Sequence, residues 1–178
     1  LAGASGGEEQ VGAAGFSTDG LFNQTSATSA TGAIHTYEYG DPAHPFFETL
    51  HVDGTAGDAK ITNTRYNADG DVCTINMGTT APSTCTNRVA GSRQITITRG
   101  SAAAPGAITA VMDGNGNTTT YGYNTLGEHT SVTPPAGSNL GGQSMSYDAL
   151  SRLATATDGK GQTTTYTFTS DNLLASIG

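Results

Sequence analysis

The chain has 178 residues, of which 12% are charged and 35% hydrophobic, with a net charge of −8 and a pI near 4.6. Seven basic residues scattered along such a chain form no patch able to neutralise phosphates, so nucleic acid is excluded as a partner. No stretch approaches the roughly 18 apolar residues that would carry a helix across a bilayer, which argues against membrane insertion.

Thr, Gly, Ser, Asn and Ala fill the space left by the missing charged and apolar residues. Thr suits a half-wet pleated surface, and Gly and Asn suit tight turns. The composition therefore predicts many short strands joined by many turns. Low charge density and abundant Ser, Thr and Asn also fit a secreted or cell-surface protein. Leu1 opens the chain with no charged stretch leading into an apolar core, which predicts a processed product or a piece of something longer.

In chain order, residues 1–33 form a Gly/Ala/Ser/Thr-rich region with isolated Val11, Phe16, Leu21 and Phe22. It reads either as a flexible linker or as an arm whose few apolar residues dock. From residue 34 onward the pattern changes. Tyr37-Glu38-Tyr39 pairs two aromatics on one strand face and is followed by the breaker Gly40-Asp41-Pro42. Tyr66 to Val72 places a four-residue turn between an aromatic and a strand. Residues 92–99 alternate Ile95 and Ile97 with Thr96 and Thr98, a period of two. No segment carries the apolar spacing of a helix.

Cys73 and Cys85 flank residues 74–84, a plausible turn that brings their neighbours together. They are either a disulfide in an oxidising compartment or two half-buried thiols. A zinc site is not expected, because no His lies near either Cys in sequence.

The strongest signal is internal repetition. Residues 112–124 align without a gap to residues 157–169. Asp113, Gly114 and Gly116 match Asp158, Gly159 and Gly161; three Thr match in each; Tyr121 matches Tyr166 and Tyr123 matches Phe168. The Asp-Gly-x-Gly step supplies a local cap and residues free to take positive φ, and the Thr-Thr-Thr-Tyr-x-aromatic step supplies a strand. Tyr147 to Leu153 repeats the order of aromatic, turn and strand, and anchors recur at about 21 to 31 residues, a repeat-protein spacing.

Catalytic and metal chemistry find little support. His35, His44, His51 and His129 lie in no nucleophile or metalloprotease motif, so no catalytic, cofactor-binding or metal-binding residues are assigned. Asp113, Asn115 and Asn117 fall at the first, third and fifth positions of a calcium loop, yet its sixth position is Thr118 and its twelfth Asn124. The aligned copy places Lys160 where Asn115 stands, so turn formation accounts for the shared residues.

Tyr147-Asp148-Ala149-Leu150-Ser151-Arg152-Leu153, continued by Asp158 to Tyr166, resembles the YD repeat of Rhs (rearrangement hotspot) proteins. Ser151 replaces the usual Gly, and the Tyr-Asp step is intact only there, since Asn124 and Thr169 stand in the other Asp positions. Residues 39–45 resemble a stretch met between such repeats, while residues 1–33 carry no likeness. The resemblance implies an all-β chain of antiparallel hairpins in a twisted or spiralling open-edged sheet, with residues 34–178 as the repeat region. It also implies a segment of the shell that, in bacterial Rhs and Tc toxins, surrounds a toxin cargo. The shell-closing segment with its self-cleaving aspartates is not found. Two other functions stay open: a self-assembling filament or adhesion subunit joined by strand addition between identical chains, and a carbohydrate-binding module using exposed Tyr faces.

Overall fold

The computed structural model describes residues 15–29, 32–54, 58–89 and 91–178. Fourteen strands occur: β1 (Gly15–Thr18), β2 (Gln24–Thr28), β3 (Ile34–Glu38), β4 (Leu50–Asp53), β5 (Lys60–Tyr66), β6 (Val72–Met77) and β7 (Arg93–Arg99). They continue as β8 (Ile108–Met112), β9 (Thr118–Tyr123), β10 (His129–Thr133), β11 (Gln143–Tyr147), β12 (Leu153–Thr157), β13 (Thr163–Phe168) and β14 (Leu174–Ile177). Order in the sheet equals order in the sequence, and every pair is antiparallel. The fold is all-β, one open meander. Residues 1–14 of the N-terminal region lie outside the described residues, and from Gly15 the chain contributes β1 and β2 to the common sheet.

One turn recurs throughout. At Asp19, Asn67, Asp113, Asn124, Asp148 and Asp158 a side-chain oxygen accepts the backbone N–H groups two and four residues on. Thr169 does the same with its hydroxyl for Leu173 alone. The residue three positions on has positive φ in each case: Phe22, Gly70, Gly116, Gly127, Ser151, Gly161 and Asn172. This is a three-residue hairpin loop with its last residue left-handed, matched to the twist of the flanking strands.

Gly116 and Gly161 therefore hold the left-handed position, at φ +89 and +81. Gly114 and Gly159 lie in the same turns but do not have positive φ, contrary to the expectation that both glycines of the step would take it. They permit close approach instead: a Cβ on Gly159 would stand 2.7 Å from the Gly141 carbonyl oxygen, and one on Gly114 3.3 Å from the Gln94 nitrogen.

A meander sends alternate connections to opposite ends of the sheet. At one end, the hairpins β1–β2, β5–β6, β7–β8, β9–β10, β11–β12 and β13–β14 each carry a β-bulge. The residues left without a partner are Thr25, Cys73, Thr109, Thr130, Ala154 and Ala175. All are small, because a bulge turns two successive side chains to one face. The hairpins β2–β3, β8–β9 and β12–β13, at the other end, keep an unbroken register.

Positive φ costs an ordinary residue about 1 kcal/mol or more. Gly116→Val and Gly161→Val should each lower stability by at least that much in thermal melts followed by circular dichroism. The two should be similar, since the Arg88 guanidinium nitrogen that a Cβ on Gly116 would meet at 2.8 Å ends a flexible exposed side chain that can move away. Ser151→Gly, at φ 60, should move the melt upward.

Candidate functional site

Directly paired residues project to the same face of a sheet, so the registers sort the side chains into two unlike faces. One face carries Ser17, Ser26, Asn63, Thr74, Asn76, Gln94, Thr96, Thr120, Ser144, Ser146, Thr155, Thr157, Thr163 and Thr167. Hydroxyls bond across strands here: Ser17 with Ser26 at 2.8 Å, Ser146 with Thr155 at 2.6 Å, Thr157 with Thr163 at 2.8 Å and Thr167 with Ser176 at 2.6 Å. The other face carries Phe16, His35, Tyr37, His51, Ile75, Met77, Ile95, Ile97, Val111, Tyr121, Tyr123, His129, Val132, Met145, Tyr147, Tyr166 and Phe168. We call these the hydroxyl face and the aromatic face.

The aromatic face places the repeat-defining rings together. The His129 ring lies 5.9 Å from Tyr121 and 5.4 Å from Tyr123, centroid to centroid. Tyrosines at the bulged end pin their strand to the one before it. The hydroxyls of Tyr39, Tyr66, Tyr123 and Tyr147 donate to the carbonyls of Gln24, Glu48, Ile108 and His129 at 2.8–3.1 Å. Burial, then the nearby carboxylates of Glu48 and Asp41, raises the pKa of Tyr66. Arg152 links two neighbouring turns. It bonds Asp148 Oδ2 at 2.7 Å and Asn172 Oδ1 at 2.8 Å, and its guanidinium lies 4.3 Å from the centre of the Phe168 ring.

The hydroxyl face is covered over β5, β6 and β7, where the connection 78–92 folds back across it. Cys73, the bulge residue, is bonded to Cys85 in this strap. Thr74 Oγ1 donates to the Cys85 carbonyl at 3.0 Å, Asn76 Nδ2 to Thr80 at 2.6 Å, Asn63 Nδ2 to Gly78 at 2.6 Å and Arg65 Nε to Pro82 at 3.0 Å. Gln94 holds both directions, donating to the Asn87 carbonyl and accepting from the Val89 N–H. Thr74 and Asn76 are fully buried as a result. Polar side chains tolerate burial here because the strap supplies their partners. None of this polar set was evident in the sequence, where an isolated Asn, Thr or Gln carries no signal.

The histidines divide by place. His35, His51 and His129 stand on the aromatic face; His35 Nδ1 is 3.4 Å from Asp53 and His51 Nδ1 is 3.7 Å from Glu48. His44 sits in the connection after β3, 3.1 Å from Asp41 and stacked on Phe47. Among the described residues no group of three or more His, Cys, Asp or Glu is placed to hold a metal ion. Both Asp113 oxygens accept turn bonds, Oδ1 from the amides of Asn115 and Asn117 and Oδ2 from the Asn117 side chain. Asp158 accepts the amides of Lys160 and Gln162 in the same way. Tyr147 and Asp148 head another copy of this turn.

Turn bonding shifts acid titration. The Asn117 side chain and amide lower the pKa of Asp113, Arg152 lowers that of Asp148, Asn23 that of Asp19 and His44 that of Asp41. These carboxyls bind protons less readily folded than unfolded. The stability they contribute is complete above the ordinary Asp value of about 3.9 and is lost as pH falls through the lower folded values. Melting temperature should accordingly hold steady from pH 7 to about 5 and drop below about pH 4. A melt unchanged at pH 3 would contradict this. A second expectation concerns the strap. The Cys73–Cys85 bond closes a loop with a sequence separation of 12, worth about 3 kcal/mol in the chain-entropy model. Cys85→Ala, or added reductant, should lower the melting temperature, whereas reductant should leave the Cys85→Ala variant where it is.

No protein-family model matches the chain, and no curated protein does. Solved structures do overlay. A crystal structure of TcdB2-TccC3-Cdc42 gives a TM-score of 0.44 at 15% identity, and one of TcdB2-TccC3 gives 0.44 at 16%. A Photorhabdus luminescens Tc holotoxin pore gives 0.43 at 16%. These overlays cover 94–95% of this chain and 10% of the larger ones, so the chain spans a tenth of their length. Overlays below a TM-score of 0.5 establish neither family nor function.

Proposed function

We propose that this chain is a non-catalytic stretch of β-repeat wall from a secreted or cell-surface YD-repeat protein, working as part of a larger sheet that surrounds a cargo. The observation that carries the proposal is the single layer. Among the described residues each strand contacts only its sequence neighbours, so no second layer packs on the aromatic face. A sheet with one apolar side normally buries it against something. The YD-like residues from Tyr147 to Tyr166 and their echo at residues 112–124 supply the family context, in which further repeats extend the sheet and a toxin lies inside. In this reading the partners are neighbouring repeats and cargo, and neither cofactor nor metal is involved.

Sedimentation velocity over a hundredfold concentration range, with negative-stain electron microscopy, tests the proposal on the isolated chain. A wall segment should give monomers or irregular small assemblies that brighten an apolar dye. Regular filaments of fixed diameter would overturn it in favour of the self-assembling subunit. Specific retention on a glycan array, abolished by replacing Tyr121 and Tyr166 with Ala, would instead support the carbohydrate-binding module.

A further inference from the structure

The chain carries seven basic residues against fifteen acidic ones, so where its cations go is informative. Arg152 is held by Asp148 and Asn172, Arg65 by the Pro82 carbonyl, Arg88 by the Gly114 carbonyl and Arg99 by the Gly106 carbonyl. Lys60, Arg93 and Lys160 have neither an ion pair nor a side-chain hydrogen bond among the described residues; Lys160 stands alone in the β12–β13 turn, whereas Lys60 and Arg93 are close together. They stand on the aromatic face in one neighbourhood: Thr62 pairs with Met77, Met77 pairs with Arg93, and Lys60 lies two residues from Thr62 on the same strand face.

Two adjoining cavities share this neighbourhood. One, of about 420 Å³, is lined by Lys60, Thr62, Met77 and Arg93. The other, of about 430 Å³, is lined by Ile75, Met77, Arg93 and Ile95 and ends against Gly114 and Asn115. Met77 and Arg93 belong to both. Met77 is 50% exposed and Ile95 40%, an unusual display for large apolar side chains on central strands.

We propose that these joined cavities bind an anionic amphiphile, a molecule with one carboxylate head and an unbranched apolar tail. The head lies between Lys60 and Arg93, where the ammonium and the guanidinium fork are free to donate. The tail lies over Met77 and along Ile75 and Ile95 towards Gly114. Charge fixes the orientation. Asp113 lines the far end, where its carboxylate repels a second one; Asp53, paired with Lys60 and 3.4 Å from His35, leaves the side of Lys60 towards Arg93 as the place for the head. The volumes fall within the range of small-molecule sites, and the mix of apolar lining with a few placed polar groups is what such sites share. Nothing here depends on the wall proposal, because the site is complete within β5, β6, β7 and the β8–β9 turn.

The test is titration calorimetry of the whole chain with decanoate, kept below its micelle concentration. Decyltrimethylammonium, with the same tail and opposite charge, serves as the control. Saturable decanoate binding is expected, weakened about tenfold or more in a Lys60→Gln/Arg93→Gln double variant, with decyltrimethylammonium binding at least about tenfold more weakly to the parent chain. Both replaced side chains are exposed, so the variant should melt as the parent does. Equal affinity for the two probes would reduce the site to a bare apolar surface and overturn the proposal without any variant. An unchanged affinity in the double variant, or no heat at millimolar decanoate, would overturn it too.

Discussion

A side-chain oxygen that heads six of the hairpin turns and accepts backbone N–H groups two and four residues ahead is the interaction on which the sheet depends. Each strand is short, and each touches only the strands before and after it in sequence. A meander of this kind has no contact between non-neighbouring strands to rescue a badly closed hairpin. Register is therefore fixed locally, by the turn, and an error in one turn would flip the faces of everything beyond it. That explains why Asp, Asn or Thr heads the turn at widely separated places, and why the residue three positions on accepts positive φ even when it is Phe22, Ser151 or Asn172.

The bulges at one end of the sheet add a second local device. Each lies six residues after the turn head in five of the hairpins and turns a small side chain onto the hydroxyl face. At Cys73 the device is put to a new use. The bulge aims a thiol at the strap, and the strap in turn closes over the amides and hydroxyls of β5, β6 and β7. The best-buried part of the molecule is thus polar, an inversion made possible because the carbonyls of Gly78, Thr80, Cys85 and Asn87 accept from Asn63, Asn76, Thr74 and Gln94, with Asn76 Oδ1 the only buried atom of this set left without a partner.

The two faces have opposite characters for the same reason. Alternation along the strands sends all the strand aromatics one way and most of the Ser, Asn and Gln the other, with Val52, Ile61 and Met112 on the hydroxyl face and Thr62, Thr119 and Thr164 on the aromatic one. No second sheet covers the aromatic face among the described residues; His44 and Phe47, from the connection after β3, pack against it at Tyr66. The hydroxyls of Tyr66, Tyr123 and Tyr147 are spent on neighbouring carbonyls, and the face offers ring surface, aliphatic side chains and, around Met77, two unpaired cations.

By itself the sequence determined the strand-and-turn character and the repeat of the region from residue 34 onward, but not the strands β1 and β2, which lie in what read as a linker or arm. Asp-Gly-x-Gly and Thr-Thr-Thr-Tyr encode bonds and dihedrals made within a few residues, and such local rules are written in adjacent letters. It gave less warning of the turns headed by Asp19 and Thr169, where the left-handed position is filled by Phe22 and Asn172 rather than Gly. Only the tertiary structure decided that Gly159 stands against Gly141, that the strap buries Asn76 and Gln94, and that Lys60 and Arg93 meet around Met77. Those relations join residues from different strands and connections, and they exist only once register has placed one strand beside the next.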